Sequence, residues 1–329
     1  CSTGDALAVR QALVDMLSNK LGGQAVEQET FTPYAGGAPA NVAVACARLG
    51  LPSHFVGMLG QDSFGDFLHD ELSAHGVQME HVKRTSHART ALAFVSRDEE
   101  GERRFDFHRP PAADLLFRPE HAGPELFATP AIFHLCSNSL TDAGIADTSF
   151  VLASRARAAG SLVSVDANLR HNLWPNQQVD VALVTRLLDN ADILKLSQEE
   201  VEALTDNQPQ TEWLEARLKA GVRLIVLTDG PGVIRALVRK QSSEIETVSI
   251  TPPSVKAVDT TAGGDAFIGG FLSALSEAGI NADNLSDWCE DESHLNAALQ
   301  RAASCGAFAV TRPGAYSALP TRDDLSAMK

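Results

Sequence analysis

Short apolar runs rich in β-branched residues alternate with longer helical patterns along this chain, and no other feature constrains its fold as tightly. Strand-like runs lie at residues 6–9 with 12–14, 131–136, 162–165, 192–196 and 224–227. They are almost continuously apolar, as strands buried on both faces must be. Helical patterns fall between them, near 39–49, 63–75, 142–159, 178–190, 211–220, 263–279 and 292–308. The alternation predicts an α/β fold, with a doubly wound, mostly parallel central sheet and helices on both faces. Ligands of such sheets bind beyond the carboxyl ends of the strands.

Residues 90–96 (T-A-L-A-F-V-S) and 103–108 (R-R-F-D-F-H) break that rhythm. Only a polar turn at 98–102, ending near Gly101, separates them, which predicts a hairpin outside the parallel sheet. Phe105 and Phe107 share one face of it at period two. With a further strand in 24–35, the hairpin makes a small β-sheet lid. The expected division is a large α/β unit of 1–23, 36–88 and 110–329 and a lid of 24–35 and 89–109. The stretch 281–294 is polar and acidic and reads as a surface insertion between two helices.

Composition narrows the function classes. Lys plus Arg is 27 and Asp plus Glu is 42, a net charge of −15. That balance disfavours a general nucleic-acid binder. No run approaches the ~18 apolar residues of a membrane span. The N-terminal stretch lacks a basic segment followed by an apolar one. The cysteines (Cys1, Cys46, Cys136, Cys289, Cys305) have no C-x-x-C spacing and read as buried thiols. The expectation is therefore a cytoplasmic protein. The ten histidines show no H-x-x-x-H or H-E-x-x-H spacing, so they predict no metal site. No lysine follows a glycine, which excludes the G-x-x-x-x-G-K phosphate loop. If the chain handles a nucleotide, its phosphates are held another way.

The run A-V-D-T-T-A-G-G-D-A-F-I-G-G-F-L-S-A-L at 257–275 offers that other way. Asp259, Thr260 and Thr261 are expected to close a strand, and Gly263 and Gly264 to open a helix. Bare backbone amides at such a turn, with the helix dipole behind them, form an anion site. Asp265 in the first helical turn is placed to act as general base for a hydroxyl attacking a phosphate. The dipole alone would also favour an aspartate there. Earlier, G-G-A-P-A-N at 36–41 sets a glycine pair and a proline before a slim alanine-rich helix. Asn41 there offers both a donor and an acceptor to a ligand.

D-T-T-A-G-G-D-A-F resembles the C-terminal signature of the ribokinase-like (PfkB) carbohydrate kinases, and Gly36-Gly37 followed by Asn41 resembles their N-terminal one. The resemblance runs nearly the whole chain. Within the family the segments G-E-R-R-F-D-F-H-R at 101–109, D-A-N-L-R-H-N-L-W at 166–174, K-L-S-Q-E-E at 195–200 and A-V-T-R-P-G-A-Y-S-A-L-P at 309–320 are most similar to fructokinases. It implies a ribokinase-like fold with a lid, and ATP-dependent phosphorylation of a primary hydroxyl of a ketohexose, D-fructose foremost. A kinase of 2-keto-3-deoxygluconate, with Arg103, Arg104 and Arg109 meeting its carboxylate, is the alternative. Another family sugar or nucleoside kinase, or a silent sugar-binding regulator, stands behind it.

The resemblance also assigns residues. Asp265 is the base, assisted by the amides of Ala262, Gly263 and Gly264 and by Arg170. Asp15, as the end of the first strand, Gly36, Gly37, Asn41 and Asn168 hold the sugar, with Phe105, Phe107, Arg89 and Arg109 from the lid. Lys195, Ser197, Glu200, Thr228, Gly230, Gly232 and Ala302 fall on the nucleotide side, with Glu200 reaching Mg²⁺ through water. Asp259, Thr261, Ala309, Arg312 and Gly314 match a K⁺ site made mostly of carbonyl oxygens. The implied partners are the sugar and ATP, and lid-mediated homodimers occur in the family. Three departures stand out: Arg10-Gln11 replaces the usual Gly-Glu, Ala-Gly-Gly replaces Gly-Ala-Gly, and Ala318 replaces a serine cation ligand.

Overall fold

The fold is described from a computed structural model covering residues 4–9, 11–21, 28–97, 103–109 and 111–328. Arg10, the 98–102 turn and residues 24–27 lie outside the described residues, as do the side chains of Arg103 and Arg104. The strands are β1 (Ala6–Val9), β2 (Leu13–Leu21), β3 (Phe31–Gly36), β4 (Ser53–Gly60), β5 (Val82–Thr85), β6 (Leu92–Arg97) and β7 (Arg103–His108). They continue with β8 (Ile132–Cys136), β9 (Leu162–Asp166), β10 (Ile193–Ser197), β11 (Leu224–Thr228), β12 (Ile234–Arg239) and β13 (Ile245–Ile250). The helices are α1 (Ala38–Arg48), α2 (Ser63–Ala74), α3 (Ala143–Ala158), α4 (Val181–Leu188) and α5 (Gln198–Thr205). After these come α6 (Gln210–Ala220), α7 (Gly263–Glu277), α8 (Leu285–Cys289), α9 (Glu292–Val310) and α10 (Arg322–Ala327).

The large sheet runs β13-β12-β11-β10-β9-β8-β1-β4-β5. It is parallel from β5 to β11, and an antiparallel hairpin, β12–β13, closes one edge. From β1 the chain builds outward to β4 and β5, then returns to the other side at β8. The strand order therefore reverses beside β1, which opens a crevice at the carboxyl ends of β1 and β8. β4, β8 and β9 are buried at every position, as strands covered on both faces should be. On one face α1, α7 and α9 pack so closely that a Cβ on Gly269 would run into Ala45, and one on Gly270 into Cys305. The second glycine pair of 257–275 thus serves helix packing.

The smaller sheet runs β3-β2-β6-β7. Here the structure corrects the expected division. Residues 12–14 do not continue the first strand, and Leu13–Leu21 leaves the large unit. Val14 pairs with Ala35 of β3 and Leu92 of β6, which fixes the register of the small sheet. β1 is only four residues long, and two apolar runs separated only by Arg10-Gln11 gave no sign that they belong to different sheets. Asp15 accordingly sits inside β2, not at the end of β1. A second correction concerns Asp259–Thr261, which lie in a loop. β13 ends at Ile250, and Pro252 and Pro253 follow, unable to donate to a ladder. A third concerns 281–294: it carries α8, whose Leu285 and Cys289 are buried. No described helix is long and apolar enough to cross a membrane.

Candidate active site

Two cavities open at the carboxyl ends of the central strands, and Asp265 lines both. The larger, about 350 Å³, is bounded by Gln11, Asp15, Asn41, Asn138, Phe105 and Phe107, among others. The smaller, about 120 Å³, is lined by Asn168, Arg170, Lys195, Glu200, Gly264 and Thr261 with Asp265. Thr261 and Arg170 also belong to both.

Each wall follows from local sequence. Gly37 caps α1 at φ 105°, where an L side chain is strained, and a Cβ there would strike the Gln11 carbonyl. A Cβ on Gly36 would strike the Asp15 carboxylate. The glycine pair thus lets the small sheet and α1 close on residues 11–15. Asn41, buried in the first turns of α1, donates from Nδ2 to Asp265 Oδ2 at 2.7 Å. Its Oδ1 has no partner among the described residues. Gln11 and Asn138 behave alike: Asn138 Nδ2 donates to Gln11 Oε1 at 2.7 Å, while Gln11 Nε2 and Asn138 Oδ1 are buried without a partner among the described residues. Unpaired buried polar atoms cost free energy, so a wall with several of them fits a hydroxylated ligand. Phe105 and Phe107 stack at 6.0 Å and face this cavity from β7.

The smaller cavity is built for an anion. Among the described residues, the amides of Ala262 and Gly264 donate to no protein acceptor, whereas that of Gly263 is engaged by the Thr260 carbonyl at 3.2 Å. Only two of the three expected amides are therefore unengaged. Lys195 Nζ donates to both oxygens of Asp166, at 3.1 and 3.2 Å, and a Cβ on Gly264 would lie 3.3 Å from it. An ammonium at the positive end of a helix is repelled. Asp166 offsets that repulsion, and a bound anion would offset the rest. Burial opposes the charge on Lys195, but Asp166, Glu200 and Asp265 outweigh it and raise its pKa. Burial pushes the Asp265 carboxyl up to about 6; the Asn41 hydrogen bond, Arg170 and Lys195 pull down and Asp166 pushes up.

Glu200 completes the frame. With Ser197 it forms a capping box on α5, and its carboxylate accepts from Ser197 N–H at 2.7 Å and Leu169 N–H at 2.8 Å. It thereby holds the loop that carries Asn168 (φ 37°) and Arg170. Asn168 turns toward the smaller cavity, its Nδ2 3.5 Å from Asp265 Oδ1, and not into the larger one as expected. Thr228, Gly230 and Gly232 line neither cavity; Thr228 ends β11, and Gly230 and Gly232 lie in the turn that follows it, at the same edge of the sheet. Asp259 ties two loops together. Its Oδ1 accepts from the Thr261 amide and hydroxyl at 3.0 and 2.6 Å, and Oδ2 from the Gly314 amide at 3.0 Å. The Ala309 carbonyl accepts from the Arg312 amide at 3.3 Å, and the Arg312 guanidinium lies over the Phe308 ring.

Three further expected residues, Ala302, Arg109 and Arg89, also lie away from the cavities. Ala302 has no exposed surface and packs against α7 in the core. Arg109 is half-buried and held by Asp114. Arg89 bridges to Ala112 through its backbone and lines neither cavity. Arg109 sits just after β7, where a neighbouring carboxylate takes it up, which a sequence does not display. Conversely, Asn138 belongs to no motif, and Asp166, although it opens the D-A-N-L-R segment, was assigned no role. Asp166 ends β9 and Asn138 lies two residues beyond the end of β8, in the zone where a doubly wound sheet gathers its ligand contacts.

Two cavities sharing one buried carboxylate, one walled by amides and aromatics and one by cations and bare helix amides, define a phosphotransferase site on a doubly wound fold. The model of the pfkB family carbohydrate kinases matches residues 2–322, and the chain belongs to that family. It is a carbohydrate kinase. Among its relatives, it is 38% identical to a fructokinase of Vibrio alginolyticus over 88% of this chain and 90% of that one. It is 36% identical to probable fructokinase-5 of Arabidopsis thaliana, covering 95% and 94% of the two chains. Among solved structures, fructokinase from Xylella fastidiosa with bound ATP superposes at TM-score 0.91 with 41% identity, covering 98% and 97%. Fructokinase from Vibrio cholerae O395 with fructose, ADP and calcium ion superposes at 0.85 with 32% identity over 99% of each chain.

Proposed function

We propose that the chain transfers the γ-phosphate of ATP to the primary hydroxyl of a ketohexose, converting D-fructose to fructose 6-phosphate. The observation that carries this is Asp265 lining both cavities: only there can one carboxylate touch a sugar hydroxyl and face a phosphate. The relatives support the substrate pair, since one solved structure is described with ATP and another with fructose and ADP.

In this reading the sugar occupies the larger cavity. Its hydroxyls satisfy the orphaned atoms of Asn41, Gln11 and Asn138, with Asp15 beside them, and Phe105 and Phe107 cover its apolar edge. The small sheet acts as a lid that excludes water. Asp265 takes the hydroxyl proton, and the oxygen attacks in line. Ala262 and Gly264 amides, Lys195 and Arg170 offset charge on the transferring group. The nucleotide extends over the turn of Thr228, Gly230 and Gly232.

Glu200, a hard oxygen donor beside the anion cavity, fits Mg²⁺ held through water, which would supply further charge neutralisation. The loops joined by Asp259 fit a K⁺ site with carbonyls of Thr261, Ala309 and Gly314. Phe31 and Tyr34 are exposed on β3 of the small sheet, which supports a homodimer through that sheet; sedimentation at a single monomer mass would remove that part. A sugar-acid substrate is disfavoured because Arg109 is engaged by Asp114. The decisive measurement is coupled ADP release over fructose, ribose, 2-keto-3-deoxygluconate and nucleosides, in K⁺ and in Na⁺. Fructose should give the highest kcat/KM, with K⁺ stimulating. Release with another substrate alone, or with none, would remove the assignment.

A further inference from the structure

The amino ends of the strands, away from both cavities, hold a second cluster of chemistry. His54, the second residue of β4, is 8% exposed and in register with Leu7 of β1. Its Nε2 lies 3.2 Å from Oδ2 of Asp5, the residue before β1. A carboxylate only accepts, so this bond places the neutral ring's proton on Nε2 and leaves the Nδ1 lone pair bare. Nδ1 faces Glu80, whose Oε1 is 2.8 Å away, yet the buried Nδ1 makes no hydrogen bond among the described residues. Two acceptor atoms so close repel unless a cation lies between them. The contact is out of line for a shared proton, so a larger cation suits it better.

The third member comes from the same turn as Glu80. Gln78 bridges to His54, with Phe55 N–H donating to its carbonyl at 3.1 Å, and Val82 N–H closes the turn onto Met79 at 3.0 Å. That turn presents Glu80 and His81 side by side. The His81 ring is 5.5 Å from that of His54 and tilted by 41°. One ligating atom from each of His54, Glu80 and His81 lies within 4.8 Å of the other two.

We propose that His54 Nδ1, Glu80 and His81 bind a zinc-class divalent ion that fastens the 79–81 turn to the start of β4. Two imidazoles and a carboxylate suit Zn²⁺ or Co²⁺ and not Mg²⁺ or Ca²⁺, which prefer all-oxygen sets. Asp5 plays the orienting part that a carboxylate commonly plays behind a ligating histidine. Three protein ligands leave one position for water. The site lies at the opposite end of the strands from Asp265, so the ion acts on stability and not on phosphoryl transfer.

The test uses the tag-free full chain stripped with EDTA and titrated calorimetrically with ZnCl₂ at pH 7.5. One equivalent should bind, and CoCl₂ should give the visible absorption of a tetrahedral site with nitrogen ligands. Because His54 is buried and H54A could unfold the strand, the partly exposed turn carries the test: His81→Ala and Glu80→Gln should each weaken Zn²⁺ binding at least tenfold and abolish the zinc-induced rise in Tm. Their kcat/KM for phosphoryl transfer should equal that of the wild type. Absence of stoichiometric binding, or binding undiminished in both variants, would overturn the site.

Discussion

Asp265→Asn should lower turnover by roughly 10²–10⁴-fold while leaving the KM values for sugar and ATP close to those of the wild type. The amide keeps the size of the carboxylate and can still accept from Asn41 Nδ2, now bonded at 2.7 Å. What it loses is the ability to take a proton. The wild type should show a matching pH profile. Only the ionised carboxylate accepts a proton, and its pKa in the free protein is about 6, raised chiefly by burial. The logarithm of kcat/KM should therefore rise with unit slope up to about pH 6 and level off above it. Asn41→Ala removes a bond that lowers this pKa and should move the limb to higher pH. A flat profile from pH 5 to 8, or near-normal turnover in Asp265→Asn, would remove Asp265 as the base.

The same shift makes a stability statement of opposite sign. Asp265 holds its proton more tightly when folded than when unfolded, where the usual value is 3.8. Ionising it costs stability, on the order of a few kcal/mol at full effect. The cost is absent below the unfolded value, grows as pH rises through about 6, and is complete above it. At pH 7.5 the asparagine variant should thus melt at or above the wild-type Tm, and the gap should close toward pH 4. An inactive protein that is no less stable separates chemistry from folding.

How much of this was legible in the sequence depended on whether a feature is local. Alternation placed α1, α2, α3, α6, α7 and α9 within a few residues, because each carries a self-contained helical period. The edge hairpin β12–β13 was not read, since its strands are half polar on the solvent side and its identity rests on pairing. β2 was misplaced because an apolar run looks the same on two different sheets. In the site, Asp265, Gly37 and Asn41 were legible from glycine pairs at helix starts, where backbone geometry restricts the residue. Asn138 and Asp166 were not, because an asparagine or aspartate at or near the end of a strand is ordinary until topology reveals which strand ends meet. Arg109 was misread for the same reason: its partner Asp114 is close in sequence, but its pairing depends on how the segment after β7 turns. His54 and His81 escaped any spacing rule, since a parallel pairing and not a helix brings them together.

Lys195→Met should cost both stability and turnover, and the two losses can be pulled apart. Asp166 has no exposed surface, and Lys195 Nζ contacts both of its oxygens at 3.1 and 3.2 Å. Removing the ammonium leaves a buried carboxylate uncompensated, a change worth about 3–5 kcal/mol and a fall in Tm of roughly 5–15 °C. The pKa of Lys195 is raised above 10.5, so its contribution is present throughout neutral pH and is lost only as pH climbs through that raised value. The deficit of the variant should accordingly be constant between pH 6 and 9. Adding Asp166→Asn removes the stranded charge, and the double variant should recover most of the lost Tm. Turnover should not recover, because the cation beside Gly264 is absent in both proteins. If activity returned together with stability, Lys195 would be a structural partner of Asp166 alone; if Tm stayed low in the double variant, the cost would lie in packing around the lysine stem and not in the ion pair.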